Sequence, residues 1–154
     1  MNIFKEIFLK SKSSKKKILL DKNYTYSDLY NLTDEYLSFF KLNLKSREII
    51  SVISDYSIDF IAIILSARIN GNILCILNPN STDFEKKNIL NQSNYSMVIT
   101  DRKIIKTSKK FKNIFYKKRK KHKKLNENDA FIVFTSGTTS YPKGAILTNK
   151  SIEN

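Results

Sequence analysis

Residues 131–148, FIVFTSGTTSYPKGAILT, contain an apolar run, a loop rich in hydroxyl groups and a second apolar run. The whole chain has 3 glycines and 2 prolines, and this loop holds Gly137, Gly144 and Pro142. A strand that leads into backbone amides, hydroxyls and one lysine can hold a polyphosphate, because these groups supply donors and positive charge. The stretch therefore predicts a strand over 130–134, a phosphate-binding loop, and a second strand over 144–148.

The loop offers several kinds of phosphate donor. Gly137 allows backbone conformations with positive φ and a close approach to an anion, and Lys143 supplies a mobile positive charge. The spacing excludes a Walker loop, since six residues separate Gly137 from Gly144 and the lysine precedes the second glycine. A hydroxyl-rich turn between two strands of a hairpin remains an alternative. The candidate phosphate-binding residues are Thr135, Ser136, Gly137, Thr138, Thr139, Ser140, Lys143 and Gly144.

Length and composition favour one domain with an ordinary core. The chain has 154 residues, of which 41% are hydrophobic, and no apolar run approaches the roughly 18 residues of a membrane helix. Residues 1–10 mix charges with apolar residues, which predicts a short amphipathic helix rather than a signal peptide. The single cysteine, Cys75, lies within an apolar run and is expected to be a buried, inert thiol. These features together indicate a soluble cytoplasmic protein.

The net charge of +14 has two interpretations. A basic surface can bind nucleic acid or an acidic membrane. Alternatively, a compositional bias towards Lys, Asn and Ile adds lysines wherever solvent tolerates them. The segment 101–129, with its basic block 117–124, is interpreted as a solvated connection between strands, and a nucleic acid partner is not expected. His122, the only histidine, receives no metal or catalytic role, and no metal-ligand spacing occurs.

The remaining elements alternate between helix and strand. A small hairpin is predicted around 21–23, and a strand around 114–116. The apolar pattern predicts helices over 26–41, after Ser57, and from Thr82 to about 92, with strands over 47–53, 73–77 and 96–100. Strands and helices that alternate at this spacing predict an α/β fold with a mostly parallel sheet and crossover helices.

The loop closely resembles the phosphate-binding loop of the acyl-adenylate-forming enzymes, the AMP-dependent synthetases and ligases. This family includes acyl-CoA synthetases, peptide-synthetase adenylation domains and luciferases. Its pattern is Thr-Ser-Gly-Thr-Thr-Gly-x-Pro-Lys-Gly, and residues 135–144 depart from it only at Ser140. Weaker resemblance extends over 24–29, 45–50, 65–72, 78–79 and 147–154. The resemblance therefore implies that residues 1–154 are the first part of the large N-terminal adenylation domain.

The resemblance also implies a reaction. The loop would hold the β- and γ-phosphates of ATP with Mg²⁺, and Lys143 would be its catalytic residue. A carboxylic acid would become an acyl-adenylate, and the thiol of CoA or of a carrier-protein phosphopantetheine would then accept the acyl group. Asn149 stands where the family often has a histidine, which leaves the acyl site unassigned.

The family's later motifs, for adenine, ribose, Mg²⁺ and the α-phosphate, have no counterpart in residues 1–154. The sequence therefore predicts a truncated adenylation domain that is inactive by itself. As an alternative, the chain is a non-catalytic fragment. It would then serve as a subunit of a split enzyme, with a second chain carrying the missing motifs, or as a basic polyanion-binding module.

Overall fold

A computed structural model describes residues 3–18, 23–101, 109–119, 126, 128–135 and 142–153. The chain divides into two compact units. The first comprises Met1–Ser46 and Tyr56–Gly71, and the second comprises Arg47–Asp55 and Asn72–Asn154. No helix within the described ranges is long and apolar enough to cross a membrane.

The first unit is helical. Its helices are α1 (Ile3–Ser11), α2 (Tyr26–Asn43) and α3 (Ile58–Ile69). Thr25 and Asp28 form a reciprocal capping box at the start of α2, and the Ser57 side chain accepts a hydrogen bond from the Phe60 amide at the start of α3. These contacts satisfy amide groups that would otherwise lack partners. The structure thus contains the three helices that the sequence predicts for this part of the chain. Of the hairpin predicted around 21–23, the described residues show one antiparallel bridge, Lys17 to Thr25.

The three helices of this unit pack on one another through aromatic and aliphatic side chains. Tyr36, Phe40 and Ile63 are fully buried. The Tyr36 hydroxyl donates to the Asp59 carboxylate at 2.6 Å and so joins α2 to α3. At the end of α3, Gly71 has a φ of +79°, and a Cβ there would lie 2.8 Å from the Ser46 Oγ. Only glycine fits this helix end without strain.

Tyr36→Phe is expected to lower the free energy of unfolding by about 1–2 kcal/mol, because it removes a hydrogen bond to a charged group. The measurement is urea unfolding followed by circular dichroism. Tyr56→Phe is the matched control, since the Tyr56 side chain is 85% exposed. Equal effects from the two substitutions would show that the Tyr36–Asp59 bond contributes nothing to stability.

The described residues of the second unit form one sheet of seven strands in the order β4-β5-β3-β1-β2-β6-β7. Neighbours among β1, β2, β3 and β6 are parallel, whereas β4, β5 and β7 join by antiparallel pairing. The predicted α/β fold is therefore confirmed, although the sheet is mixed and not mostly parallel, because β4, β5 and β7 add antiparallel pairings on both sides of the parallel centre. The strands are β1 (Ile49–Ile53), β2 (Ile73–Leu77), β3 (Met97–Thr100), β4 (Lys109–Phe111), β5 (Ile114–Lys118), β6 (Asp129–Thr135) and β7 (Lys143–Thr148).

Two further helices belong to this unit, α4 (Asp83–Ser93) and α5 (Asn149–Glu153). The Thr82–Glu85 capping box that begins α4 is the one expected from sequence. Helix α4 covers β1 and β2, where Ile89 joins a core with Ile53, Val98 and Ile132. Cys75 lies in the same core and is fully buried, as predicted. Burial raises the pKa of its thiol to about 12, against weaker opposing hydrogen bonds from Ser51 and Ser93.

The segment 101–129 differs from the connection that the sequence suggested. The strand predicted around 114–116 is β5, but β4 was not expected. It contains two lysines in three residues, and its apolar content is too low for strand periodicity to be visible. Pairing with β5 brings Lys110 opposite Phe115 and Phe111 opposite Ile114, which supplies the packing that the isolated strand lacks. His122 lies outside the described residues.

Candidate functional site

The two strands that flank the hydroxyl-rich loop form an antiparallel pair. Thr135 at the end of β6 is the Cα partner of Lys143 at the start of β7. Both predicted strands are therefore present, and the ends of the loop lie side by side. Of the candidate loop residues, Ser136, Gly137, Thr138, Thr139 and Ser140 lie outside the described residues, so their role stays a prediction. Pro142 and Lys143 are described, and the Lys143 side chain is exposed.

The opposite end of this strand pair is held by hydrogen bonds. The Asn149 amide donates to the Asn128 carbonyl at 2.7 Å. The Asn126 amide donates to the buried Asp129 carboxylate at 2.8 Å. The Thr148 side chain in turn accepts from the Ser151 amide in the first turn of α5. These bonds hold together the ends of β6 and β7 that lie away from the loop.

The packing of β6 against β7 explains why position 144 is a glycine, which the loop motif does not reveal. It is the Cα partner of Phe134, and a Cβ on Gly144 would lie 3.0 Å from two ring carbons of Phe134. The phenyl ring therefore occupies the space that a side chain at position 144 would need. Packing of an aromatic ring over a cross-strand glycine helps to fix the register of paired strands. Gly144 thus supports the loop through strand packing.

Gly144→Val is expected to destabilise the chain by about 1–3 kcal/mol, because the branched side chain would have to displace the Phe134 ring. Ala145→Val is the matched control, since Ala145 is exposed on the same strand. Thermal unfolding of both variants checks this. The double variant Gly144→Val with Phe134→Leu should recover part of the loss, and a loss that is unchanged in the double variant would exclude the ring as its cause.

The loop follows the carboxyl end of β6, the edge of the sheet where β1, β2 and β3 also end. Cys75 of β2 pairs with Ile132 of β6, and Asn78 and Thr135 each follow this pair by three residues, towards the carboxyl ends of their strands. At the ends of β1 and β3, the Asp101 carboxylate accepts from the Asp55 amide at 2.8 Å and from the Ser54 hydroxyl at 3.2 Å. Sequence reasoning missed this contact, although polar residues directly after successive strands are its signal. Ligands of open α/β sheets bind outside this edge.

A cavity of about 240 Å³ lies on the α4 side of β6 and β7. Phe134, Gly144 and Ile146 form its strand side, and Gln92 and Asn94 belong to its lining. Its described lining is mainly apolar and contains no Lys or Arg, so these residues are unsuited to phosphate. In the described part of the chain, no group of three His, Cys, Asp or Glu side chains could hold a metal ion.

Comparison with known families gives one match. The family described as AMP-binding enzyme matches residues 10–154, which is nearly the whole chain. No curated protein sequence matches the chain significantly.

Solved structures share the fold. The N-terminal subdomain of NpsA from Klebsiella oxytoca, in complex with 3-hydroxyanthranilyl-AMSN, has a TM-score of 0.69 at 18% identity, over 96% of this chain and 40% of that chain. The inhibitor-bound N-terminal domain of FACL13 from Mycobacterium tuberculosis has a TM-score of 0.72 at 16% identity, over 99% of this chain and 46% of that one. A Mycobacterium tuberculosis fatty acyl CoA synthetase has a TM-score of 0.67 at 13% identity, over 97% and 35%. The chain thus spans less than half the length of these structures.

Proposed function

The chain belongs to the AMP-binding enzyme family, and on that premise we propose that it is the N-terminal part of an ATP-dependent, AMP-forming ligase. The observation that carries the proposal is the position of the motif. Residues 136–142 join two strands whose facing ends are Thr135 and Lys143, at the carboxyl edge of a parallel sheet. Strand pairing fixes where the loop begins and ends, and donors held at this edge of the sheet can bind an anion.

The described residues fit the proposed ligand. Lys143 is exposed at the end of the loop, and a lysine ammonium is a suitable partner for phosphate oxygens. Pairing with Thr135 holds the Lys143 backbone in place. We propose that Thr135, Gly144 and the loop residues between them form the remainder of the phosphate site. Mg²⁺, when bound, would neutralise phosphate charge, and we assign no Mg²⁺ ligand to the described residues.

In the proposed reaction, a carboxylate oxygen of the acid attacks the α-phosphorus of ATP. The bond from that phosphorus to the bridging oxygen of the β-phosphate breaks, and pyrophosphate leaves with the electron pair. Negative charge accumulates on the departing group as the bond breaks. In this proposal the Lys143 ammonium would offset that charge, so it would stabilise the transition state more than the ground state.

The second half-reaction and the substrates remain proposals. A thiol, of CoA or of a carrier-protein phosphopantetheine, would attack the acyl carbon of the adenylate and release AMP. One neighbour of similar fold is an artificially fused adenylation–carrier-protein di-domain, NpsA-ThdA from Klebsiella oxytoca, with a TM-score of 0.70 at 19% identity. That likeness agrees with a carrier-protein thiol as one kind of acceptor for the acyl group.

The 154-residue chain alone is expected to give no carboxylate-dependent exchange between ATP and pyrophosphate. The physical reason is that, in this proposal, the groups for the adenine, the ribose and the α-phosphate belong to the rest of the catalytic unit, and a phosphate loop by itself cannot align the attack. The assay is incorporation of labelled pyrophosphate into ATP over a panel of alkyl and aryl acids. Exchange catalysed by the purified chain would contradict the proposal that it is only part of the catalytic unit.

Binding tests the phosphate assignment separately. Bound ATP should be displaced by inorganic tripolyphosphate and much less by AMP, because the proposed contacts are to the β- and γ-phosphates. Equilibrium dialysis measures this displacement. High salt in the dialysis buffer weakens the diffuse attraction of ATP to the basic surface. If AMP displaces ATP as effectively as tripolyphosphate does, the assignment of the loop to the β- and γ-phosphates is contradicted.

A further inference from the structure

The positive charge of the chain is concentrated in residues 102–124. This segment contains 13 of the 28 Lys and Arg residues and no Asp or Glu. The rest of the chain contains 15 basic and 14 acidic residues, which leaves a net charge of +1. A general excess of lysine would be spread over all exposed surfaces. Compositional bias therefore does not account for the net charge.

The described part of this segment is a hairpin on the outer edge of the sheet. Among the described strands, β4 is the outermost on its side of the sheet, and its inner neighbour is β5. Lys109 and Lys110 lie on β4 and are exposed, as is Lys118 at the end of β5. Lys112 lies in the turn between the strands, and Arg119 follows β5. A narrow edge element therefore presents several cations with no carboxylate among them.

The hairpin carries cations on both faces. Strand pairing places Lys110 opposite Phe115, so Lys110 and Lys117 share one face with that ring. Lys109 lies opposite Tyr116 and shares the other face with Lys118. The Lys110 ammonium lies 5.8 Å from the centre of the Phe115 ring. The Arg119 guanidinium lies 4.4 Å from the centre of the Tyr95 ring, at the base of the hairpin.

We propose that the β4–β5 hairpin is a nucleic-acid-binding surface that contacts the phosphate backbone of a single strand without base specificity. Lysines on both faces and along an edge suit a flexible polyphosphate that can pass around the element. Partly exposed rings beside the cations offer stacking surfaces to unpaired bases. This surface is separate from the proposed ATP loop, because β4 and β7 are the opposite edges of the sheet.

A membrane-binding role and a role in preventing aggregation both fit the hairpin less well. A flat acidic membrane would engage one face of the hairpin, and the large exposed apolar side chains of the same unit, such as Phe84 and Ile146, lie on other elements. Lysines on an edge strand also prevent strand-to-strand aggregation. That role needs few charges and does not explain 23 successive residues without a carboxylate. The concentration of charge thus favours a nucleic acid partner, which composition alone did not predict.

The test compares two variants of the 154-residue chain that lose equal charge. The hairpin variant changes Lys109, Lys110, Lys117 and Lys118 to Gln. The control changes Lys15, Lys16, Lys41 and Lys87 to Gln, four exposed lysines outside the segment. Fluorescence anisotropy with a labelled single-stranded oligonucleotide of about 20 residues, over a range of salt concentrations, gives affinity and its salt dependence.

The hairpin variant should lose at least about tenfold in affinity at low salt, and the control less than about threefold. For four lost phosphate contacts, the slope of log K against log salt should fall in magnitude by about 3. Equal losses in both variants would overturn the proposal, because net charge alone would then explain binding. Absence of oligonucleotide binding by the unaltered chain at low salt would overturn it as well.

Two further measurements keep the test decisive. Changing the same four hairpin lysines to Arg keeps the charge and should keep the affinity, and a tenfold loss in this variant would overturn the phosphate-contact mechanism. Sedimentation with phosphatidylserine vesicles tests the membrane alternative. Tighter binding to vesicles than to the oligonucleotide, at equal anionic charge and salt, would assign the surface to lipid and overturn the nucleic acid proposal. Circular dichroism establishes that each variant folds.

Discussion

Lys143→Ala is expected to slow carboxylate-dependent ATP–pyrophosphate exchange by roughly 100-fold in an active enzyme that contains this chain, which is the usual cost of removing one group that stabilises transition-state charge. The fold should be unaffected, because the Lys143 side chain is exposed. The loss should appear in kcat more than in KM for the acid, since the lysine is proposed to act on the leaving pyrophosphate and not on the carboxylate.

Lys150→Ala is the matched control for this prediction. Lys150 is an exposed lysine in α5, close to Lys143 in sequence, and it carries no proposed phosphate contact. Lys143→Arg should recover only part of the rate, because a planar guanidinium replaces a compact point charge. A Lys143→Ala enzyme with an unaltered exchange rate would remove Lys143 from the catalytic role.

A loss of stability in alkali is the second large expected effect. The pKa of the buried Cys75 thiol rises from its ordinary 9.0 to about 12. Between these values the unfolded chain loses a proton that the folded chain keeps. The contribution of Cys75 to the free energy of unfolding is therefore complete below pH 9. Above pH 9 it declines by about 1.4 kcal/mol per pH unit. Burial, together with the Asp59 carboxylate, also raises the pKa of the Tyr36 phenol far above 10. Tyr36 therefore adds a second loss of stability, which begins near pH 10.

Single substitutions separate the two groups. In urea unfolding at successive pH values, Cys75→Ala should remove the decline that begins at pH 9, and Tyr36→Phe should remove the one that begins near pH 10. The sequence pI is about 9.8, so dilute solutions are needed to limit association near zero net charge. If Cys75→Ala and the unaltered chain have the same pH dependence above pH 9, the thiol is not the group that titrates.

Much of the fold follows from local sequence signals. Thr25 with Asp28, Ser57, and Thr82 with Glu85 mark helix starts that the structure confirms. Continuous apolar runs identify β1, β2 and β3 because both faces of these strands are buried. In each case the decisive contacts lie within a few residues of one another, so a sequence pattern can reveal them.

Features that depend on distant pairing could not be predicted in the same way. Strand β4 is rich in lysine and becomes a strand through its pairing with β5. Gly144 matched a loop motif, but its contact with the Phe134 ring requires the register of β6 and β7. The Asp101 carboxylate meets Ser54 and Asp55 only because β1 and β3 are neighbours in the sheet. A local pattern can mark polar residues at strand ends, but the order of strands in the sheet decides which of them meet.

The most direct measurement of the central claim is residue-resolved NMR of the chain titrated with inorganic tripolyphosphate. The background is the hairpin variant with Gln in place of Lys109, Lys110, Lys117 and Lys118, at high salt, so that the basic edge contributes little. The backbone amide signals of residues 135–141, 143 and 144 should shift together along one saturable curve. Lys143→Ala, unlike Lys150→Ala, should weaken the affinity obtained from that curve roughly tenfold. Shifts confined to other basic residues, with residues 135–144 unaffected, would contradict the assignment of this loop as the phosphate site.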